Sequence, residues 1–173
     1  MESDFLNPVE LKFLRVKTEK HPTTGITLEY LNHHNAIAVF ILDSKEEKTL
    51  LVNQYRSGNR GNMFEVPAGL IDADEDATEA MFREVLEETG YKKEDLDLIY
   101  KYPKGLLISP GYTTEKLNFY IVKLKKDGII PQEQNLDHGE DLFTQWVNFD
   151  KVEELEIDLK TVFLLNLYKS LKK

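Results

Sequence analysis

The sequence predicts an α/β sandwich, a mixed sheet with helices on its faces. Three observations predict it. Residues 36–42, Ala-Ile-Ala-Val-Phe-Ile-Leu, form a continuous apolar run of the kind a strand covered on both faces requires. Shorter strand-like runs separated by turn residues stand on both sides of it. A capped helical pattern occupies the middle of the chain, and two more close it.

Taken in order, residues 11–16 and 26–31 read as strands, joined by His21-Pro-Thr-Thr-Gly25, which has turn composition. They make an N-terminal β-hairpin region, residues 1–34, ahead of a domain over residues 35–173. After the apolar run of 36–42 comes a polar turn at 43–48, a partner strand at 49–56 and a loop at 57–62. Residues 63–69 lead into the helix, with Pro67 marking a strand end or edge because it has no N–H for a ladder. Beyond the helix, 96–102, 115–123 and 142–148 read as strands and 104–114 as a loop. Residues 150–156 and 158–171 read as helices, the latter with Val162, Leu165, Leu167 and Leu171 mostly in the core.

The composition sets limits. At 173 residues, 41% hydrophobic and 31% charged, the chain suits one domain with a proper core. The formal charge of −9 argues against a nucleic-acid surface, since phosphate contacts need clustered Lys and Arg. No apolar run reaches the roughly 18 residues of a membrane helix, so no membrane partner is expected. Zero cysteines exclude disulfides and thiolate metal sites, and fit a cytoplasmic protein.

The mid-chain helix carries the chemistry. Asp74 or Asp76 can cap its start, and Gly90 can end it in the left-handed conformation. Met81, Phe82, Val85 and Leu86 supply an apolar stripe. Glu84 and Glu88 lie on one face with Glu87 beside them. Those carboxylates repel one another, and they sit at the helix end where the macrodipole disfavours anions. A hard divalent cation that takes oxygen ligands offsets both; taken alone, the run also reads as a solvated acidic face.

The surrounding spacing separates those readings. Gly69, five residues, Glu75, seven residues, Arg83-Glu84-Val85, one residue, Glu87-Glu88, one residue and Gly90 resembles the signature of the Nudix hydrolase family. Tyr91 stands where the strict signature has an aliphatic residue, and is apolar enough to pack. Residues 64–69, Gln54-Tyr-Arg56, the loop 109–115 and residues 157–161 are similar to the ADP-ribose pyrophosphatase branch of that family. The resemblance implies a Nudix-type α/β/α sandwich and a homodimer built through the N-terminal hairpin. It implies hydrolysis of ADP-ribose to AMP and ribose 5-phosphate with Mg2+, or Mn2+ as the alternative. A nucleotide-sugar such as GDP-mannose is the rival substrate, and a non-catalytic nucleotide sensor the rival class.

By position, the resemblance makes Glu84, Glu88, Glu140 and the Ala68 carbonyl the metal ligands. Glu87 binds a further ion or steadies a water, and Gly69 lets the backbone approach the metal. Arg83 orients a carboxylate through bidentate pairing. Either His138, an imidazole able to act near pH 7, or Asp137 or Glu140 is the base. Arg56, Glu65, Gly111 and Glu115 are the substrate contacts. Arg56 suits a phosphate better than the alternative of a strand-edge ion pair, whereas pairing with Arg60 or Lys116 explains Glu65 and Glu115 equally well. No role follows for His21, His33 or His34.

Overall fold

The computed structural model describes residues 14–173. The first strand, Val16–Lys20 (β1), pairs antiparallel with Thr27–Leu31 (β2). It begins where the expected strand over 11–16 was to end, and residues 11–13 of that expectation lie outside the described part. The turn sets this later register. His21 and Ile26 close it with a 2.9 Å backbone bond, Gly25 sits at φ 72°, and the His21 ring accepts the amides of Thr23 and Thr24 at 3.1 Å.

The remaining strands form one mixed sheet. Ala36–Leu42 (β3) is the buried run expected from sequence, every residue of it inside. Lys48–Arg56 (β4) pairs antiparallel with its end, Gly61–Glu65 (β5) with β4, and Ala68–Leu70 (β6) with the start of β3. Val66 and Pro67 carry the chain from β4's edge to β3's, which is how Pro67 avoids a ladder position. Leu96–Lys101 (β7) and Lys116–Leu124 (β9) are antiparallel to each other, and β9 runs parallel to β3. The expected loop of 104–114 contains a two-residue strand, Leu106–Leu107 (β8), on the edge of β9. Leu142–Asn148 (β10) completes the sheet against β4.

Because side chains alternate across β3, its residues feed two cores. Ala36, Ala38, Phe40 and Leu42 face one layer with Leu164, Leu165 and Tyr168. Ile37, Val39 and Ile41 face the other with Ala80, Met81 and Val85. The first layer is Phe149–Val152 (α2) and Leu159–Leu171 (α3); the second is Ala77–Thr89 (α1). The α/β/α sandwich is thus present.

Within the helices the stripes differ in detail from expectation. In α1 Leu86 is 38% exposed, because one further residue turns it about 100° from the buried Val85. Phe82 is half-buried, and Ala80 takes the inner position. Asp76, not Asp74, caps the helix through Thr78 N at 2.7 Å; Asp74 lies in the preceding turn at φ 66°. The expected helix of 150–156 stops at Val152, as Glu154 and Leu155 close tight turns onto Lys151 and Val152. In α3 Thr161, Leu164, Leu165 and Tyr168 are the buried residues, while Val162 and Leu167 are half-buried and Leu171 is exposed. Tyr91 packs as expected, 5% exposed and edge-on to Trp146.

Candidate functional site at the acidic helix

α1 presents its acids to a cavity of about 880 Å³. Glu84, Glu87, Asp72, Asp137 and Glu140 line it, and so do Arg56, Lys160 and Asp158. Leu106, Leu107, Ile108, Leu117 and Phe119 form an apolar end beside His33 and Glu115.

Arg83 organises the acids of α1. Its Nε and Nη2 donate to the two oxygens of Glu75 at 3.0 and 2.9 Å, a bidentate pair, and Nη2 also donates to the Leu70 carbonyl at 2.9 Å. Its Nη1 donates to Glu84 at 2.7 Å and Glu87 at 3.0 Å. One guanidinium therefore spaces two acids of the cluster and ties the helix to the loop before it. Glu75, the first acid of the spacing pattern, has this pairing as its role.

Glu88 is the most deeply placed acid. It is 3% exposed, and its carboxylate accepts the Ala68 amide at 3.1 Å. Burial pushes its carboxyl well above the ordinary range, and the charges of Glu84 and Glu140 push it the same way. Burial likewise pushes Glu84 up to about 7, with Arg83 pulling down and Glu87 and Glu140 pushing up. A Cβ on residue 69 would lie 1.9 Å from the Glu84 carboxyl carbon. Without a Cβ, residue 69 leaves the room that the Glu84 carboxyl occupies against the backbone.

The end of α1 is relieved from outside as well. Gln132 N donates to Gly90 O at 2.9 Å, Asn135 N donates to Glu87 O at 3.0 Å, and the Gln134 amide donates to Glu88 O. These donors satisfy carbonyls of the last turn and so oppose the negative end of the helix dipole. The same segment leads into the turn that brings Asp137 and Glu140 to the cavity. There Glu140 Oε2 accepts Asp137 N at 3.1 Å, and Glu140 N donates to Asp137 O at 3.0 Å.

The donor set fits a hard divalent ion: carboxylates and the Ala68 carbonyl, oxygen throughout, with two of the acids desolvated. Among the described residues no three acidic or histidine side chains yet converge tightly enough to hold one. Glu84 and Glu87 are drawn to Arg83, and Glu140 is folded onto its own turn.

The cavity brings together Arg56, Ala68, Arg83, Glu84, Glu87, Glu115 and Glu140, with Glu88 behind Ala68. His138 is exposed and off the cavity wall, unlike its neighbours Asp137 and Glu140. Gly111 is also off the wall, with open space around it. Glu65 is buried at 2% exposure and pairs with Arg56 and Lys160, not Arg60. Glu115 stands 3.7 Å from the His33 ring, and no Lys116 pair forms among the described residues. His33, given no role from sequence, thus lines the site; the partners that tie it there, Thr114 and Glu115, lie 81 and 82 positions away.

A family model described as NUDIX domain matches residues 32–165. The chain is similar to the methanol dehydrogenase activator of Bacillus methanolicus, 30% identical over 128 residues, covering 74% of this chain and 64% of that protein. It is similar to an ADP-ribose pyrophosphatase of Saccharomyces cerevisiae, 39% identical over 92 residues, covering 53% and 37%. It is also similar to an ADP-ribose pyrophosphatase of Bacillus subtilis, 27% identical over 142 residues, covering 79% and 73%. The chain spans less than two thirds of the length of the first two.

Proposed function

Since this chain belongs to the NUDIX family, with a match over residues 32–165, we propose that it is a divalent-metal-dependent pyrophosphohydrolase that cuts ADP-ribose to AMP and ribose 5-phosphate. One observation carries the reading: two desolvated carboxyls stand at a cavity of nucleotide size, Glu84 on its wall and Glu88 buried behind Ala68. Glu84 shares the one Arg83 guanidinium with Glu75 and Glu87, and Glu88 is held by a backbone amide. Burying carboxylates with too little positive charge beside them costs several kcal/mol in general, a cost that makes sense where a cation is to be bound.

Glu84, Glu88 and the Ala68 carbonyl would hold the ion, with Glu140 joining from its turn; Mg2+ is the first candidate and Mn2+ the second. Such an ion supplies charge neutralisation at the diphosphate and lowers the pKa of a bound water. The chain's own residues do the rest. Arg83 keeps Glu84 and Glu87 apart and oriented. Glu140 and Asp137, both on the cavity wall, have the position to take a proton from the attacking water. Arg56 faces the cavity and pairs with a phosphate oxygen. The apolar end with His33 and Glu115 receives the nucleoside. We read the β1–β2 hairpin as the arm that joins two copies.

Incubation with ADP-ribose and a divalent ion tests the function directly, with AMP as the readout. A panel that includes GDP-mannose reports the substrate. Turnover of GDP-mannose alone would replace ADP-ribose as the assignment while leaving the chemistry intact.

A further inference from the structure

Lys160 is placed where a lysine is doubly disfavoured. It lies in the first turn of α3, where the helix dipole opposes a cation, and its side chain is 11% exposed. Two carboxylates hold it there. Its ammonium donates to Glu65 Oε2 and to Asp158 Oδ2. Asp158 uses its other oxygen to cap α3, accepting Thr161 N at 3.0 Å and Thr161 Oγ1 at 2.6 Å. Thr161 Oγ1 in turn accepts Val66 N at 2.9 Å, next to Glu65. The α3 N-terminus is thereby locked to the strand carrying Glu65.

Glu65 holds Arg56 from the other side. Arg56 Nε reaches Glu65 Oε1 at 2.7 Å and Nη2 reaches Oε2 at 2.8 Å. Both donors lie on one edge of the guanidinium, so Nη1 has no hydrogen-bond partner among the described residues, and the Arg56 side chain is 43% exposed at the cavity wall. A buried carboxylate with a single cation partner can follow that partner's motion. Clamped by a second one, it is a fixed post.

We propose that Lys160 is a positioning residue for substrate phosphate: it anchors Glu65 so that Arg56 presents its Nη1 edge to the diphosphate in the cavity that the acidic helix lines. The assignment rests on the pyrophosphohydrolase reading above. Lys160 acts through Glu65, and removing it frees Arg56 to swing without unmaking the acid cluster of α1. Substrate affinity then suffers while the chemistry at those acids proceeds.

The experiment combines kinetics with a substrate-free readout on Lys160→Met, Lys160→Gln and Lys160→Arg. With ADP-ribose at saturating divalent ion, the first two are expected to raise KM about tenfold with kcat within about twofold, and Lys160→Arg to recover most of the loss. Combined with Arg56→Gln, Lys160→Gln adds little further loss, because both act through one element. A KM unchanged in folded Lys160→Gln, or losses that add fully with Arg56→Gln, overturns the proposal. Failure of the wild-type protein to act on any nucleoside diphosphate derivative contradicts the pyrophosphohydrolase reading instead. Lys160 is then judged on the Arg56 Nε–H resonance, expected to be sharp in the wild type and exchange-broadened in Lys160→Gln. A resonance equally sharp in both overturns the positioning role with no substrate present.

Discussion

Glu88 carries a buried carboxyl whose hydrogen-bond partner in the fold is a backbone amide, which makes it a place where function opposes stability. Glu88→Gln keeps the acceptor for Ala68 N and removes the charge. The metal-free variant is expected to melt higher, by about 2–4 °C for each kcal/mol recovered in a chain of this size. Its metal-dependent turnover is expected to fall on the order of 10²–10³-fold. A calorimetric scan beside an activity assay checks both; a lower melting point with activity retained would contradict the role. Glu84 gives the pH prediction. Its carboxyl rises from an ordinary 4.5 to about 7 through burial. The folded chain therefore keeps a proton that the unfolded chain has released over that window. Stability of the metal-free protein from this group is complete below 4.5 and declines as the pH climbs through about 7. Denaturant titrations at about pH 5 and about pH 8 should show the decline, and a saturating divalent ion should reduce it, since the ion takes the proton's place. At this scale the acids of α1 were readable, because their spacing is local. Glu140, Ala68 and Arg56 are named from the resemblance and do line the cavity; Lys160 is not, because its partner Glu65 lies 95 positions away.

At the scale of elements, α1 is readable from its caps and its helix formers, and β3 from its seven apolar residues. β8 was missed because two residues held on the edge of another strand leave no period to detect. The latch between residues 132–135 and the end of α1 was likewise hidden in a polar stretch that reads as plain loop. Gly90 is its hinge point. It sits at φ 74°, and a Cβ there would lie 2.0 Å from Gln132 O. Gly90→Ala is therefore expected to cost about 1–3 kcal/mol from the backbone conformation alone. It should also displace residues 132–135, lowering turnover through Asp137 and Glu140. A urea midpoint and kcat both equal to wild type would show that the latch carries nothing.

The whole molecule brings to one cavity the acids of α1 and of the 137–140 turn and the cations Arg56 of β4 and Lys160 of α3, with the sheet as frame. That layout follows from sequence in outline, since a buried central strand with long helical patterns before and after it admits few arrangements. The β1–β2 hairpin joins this frame at Leu31, which donates to Tyr112 O and accepts Thr114 N, and leaves Val16 53% and Ile26 58% exposed. A lone two-stranded ribbon is marginal in water, and packing against a second copy would stabilise it. Light scattering is expected to give a dimer, and Val16→Lys with Ile26→Lys a monomer; a monomeric wild type would remove the arm's assigned role. The central claim, that the acidic helix serves a cation and a diphosphate, has a more direct test. Wild-type protein stripped of metal is mixed with ADP-ribose, and AMP is measured before and after Mg2+ or Mn2+ is added. The account predicts AMP only once the ion is present, and next to none from Glu88→Gln; AMP release that ignores the ion, or no cleavage of ADP-ribose or any other nucleoside diphosphate derivative under any ion, would contradict it.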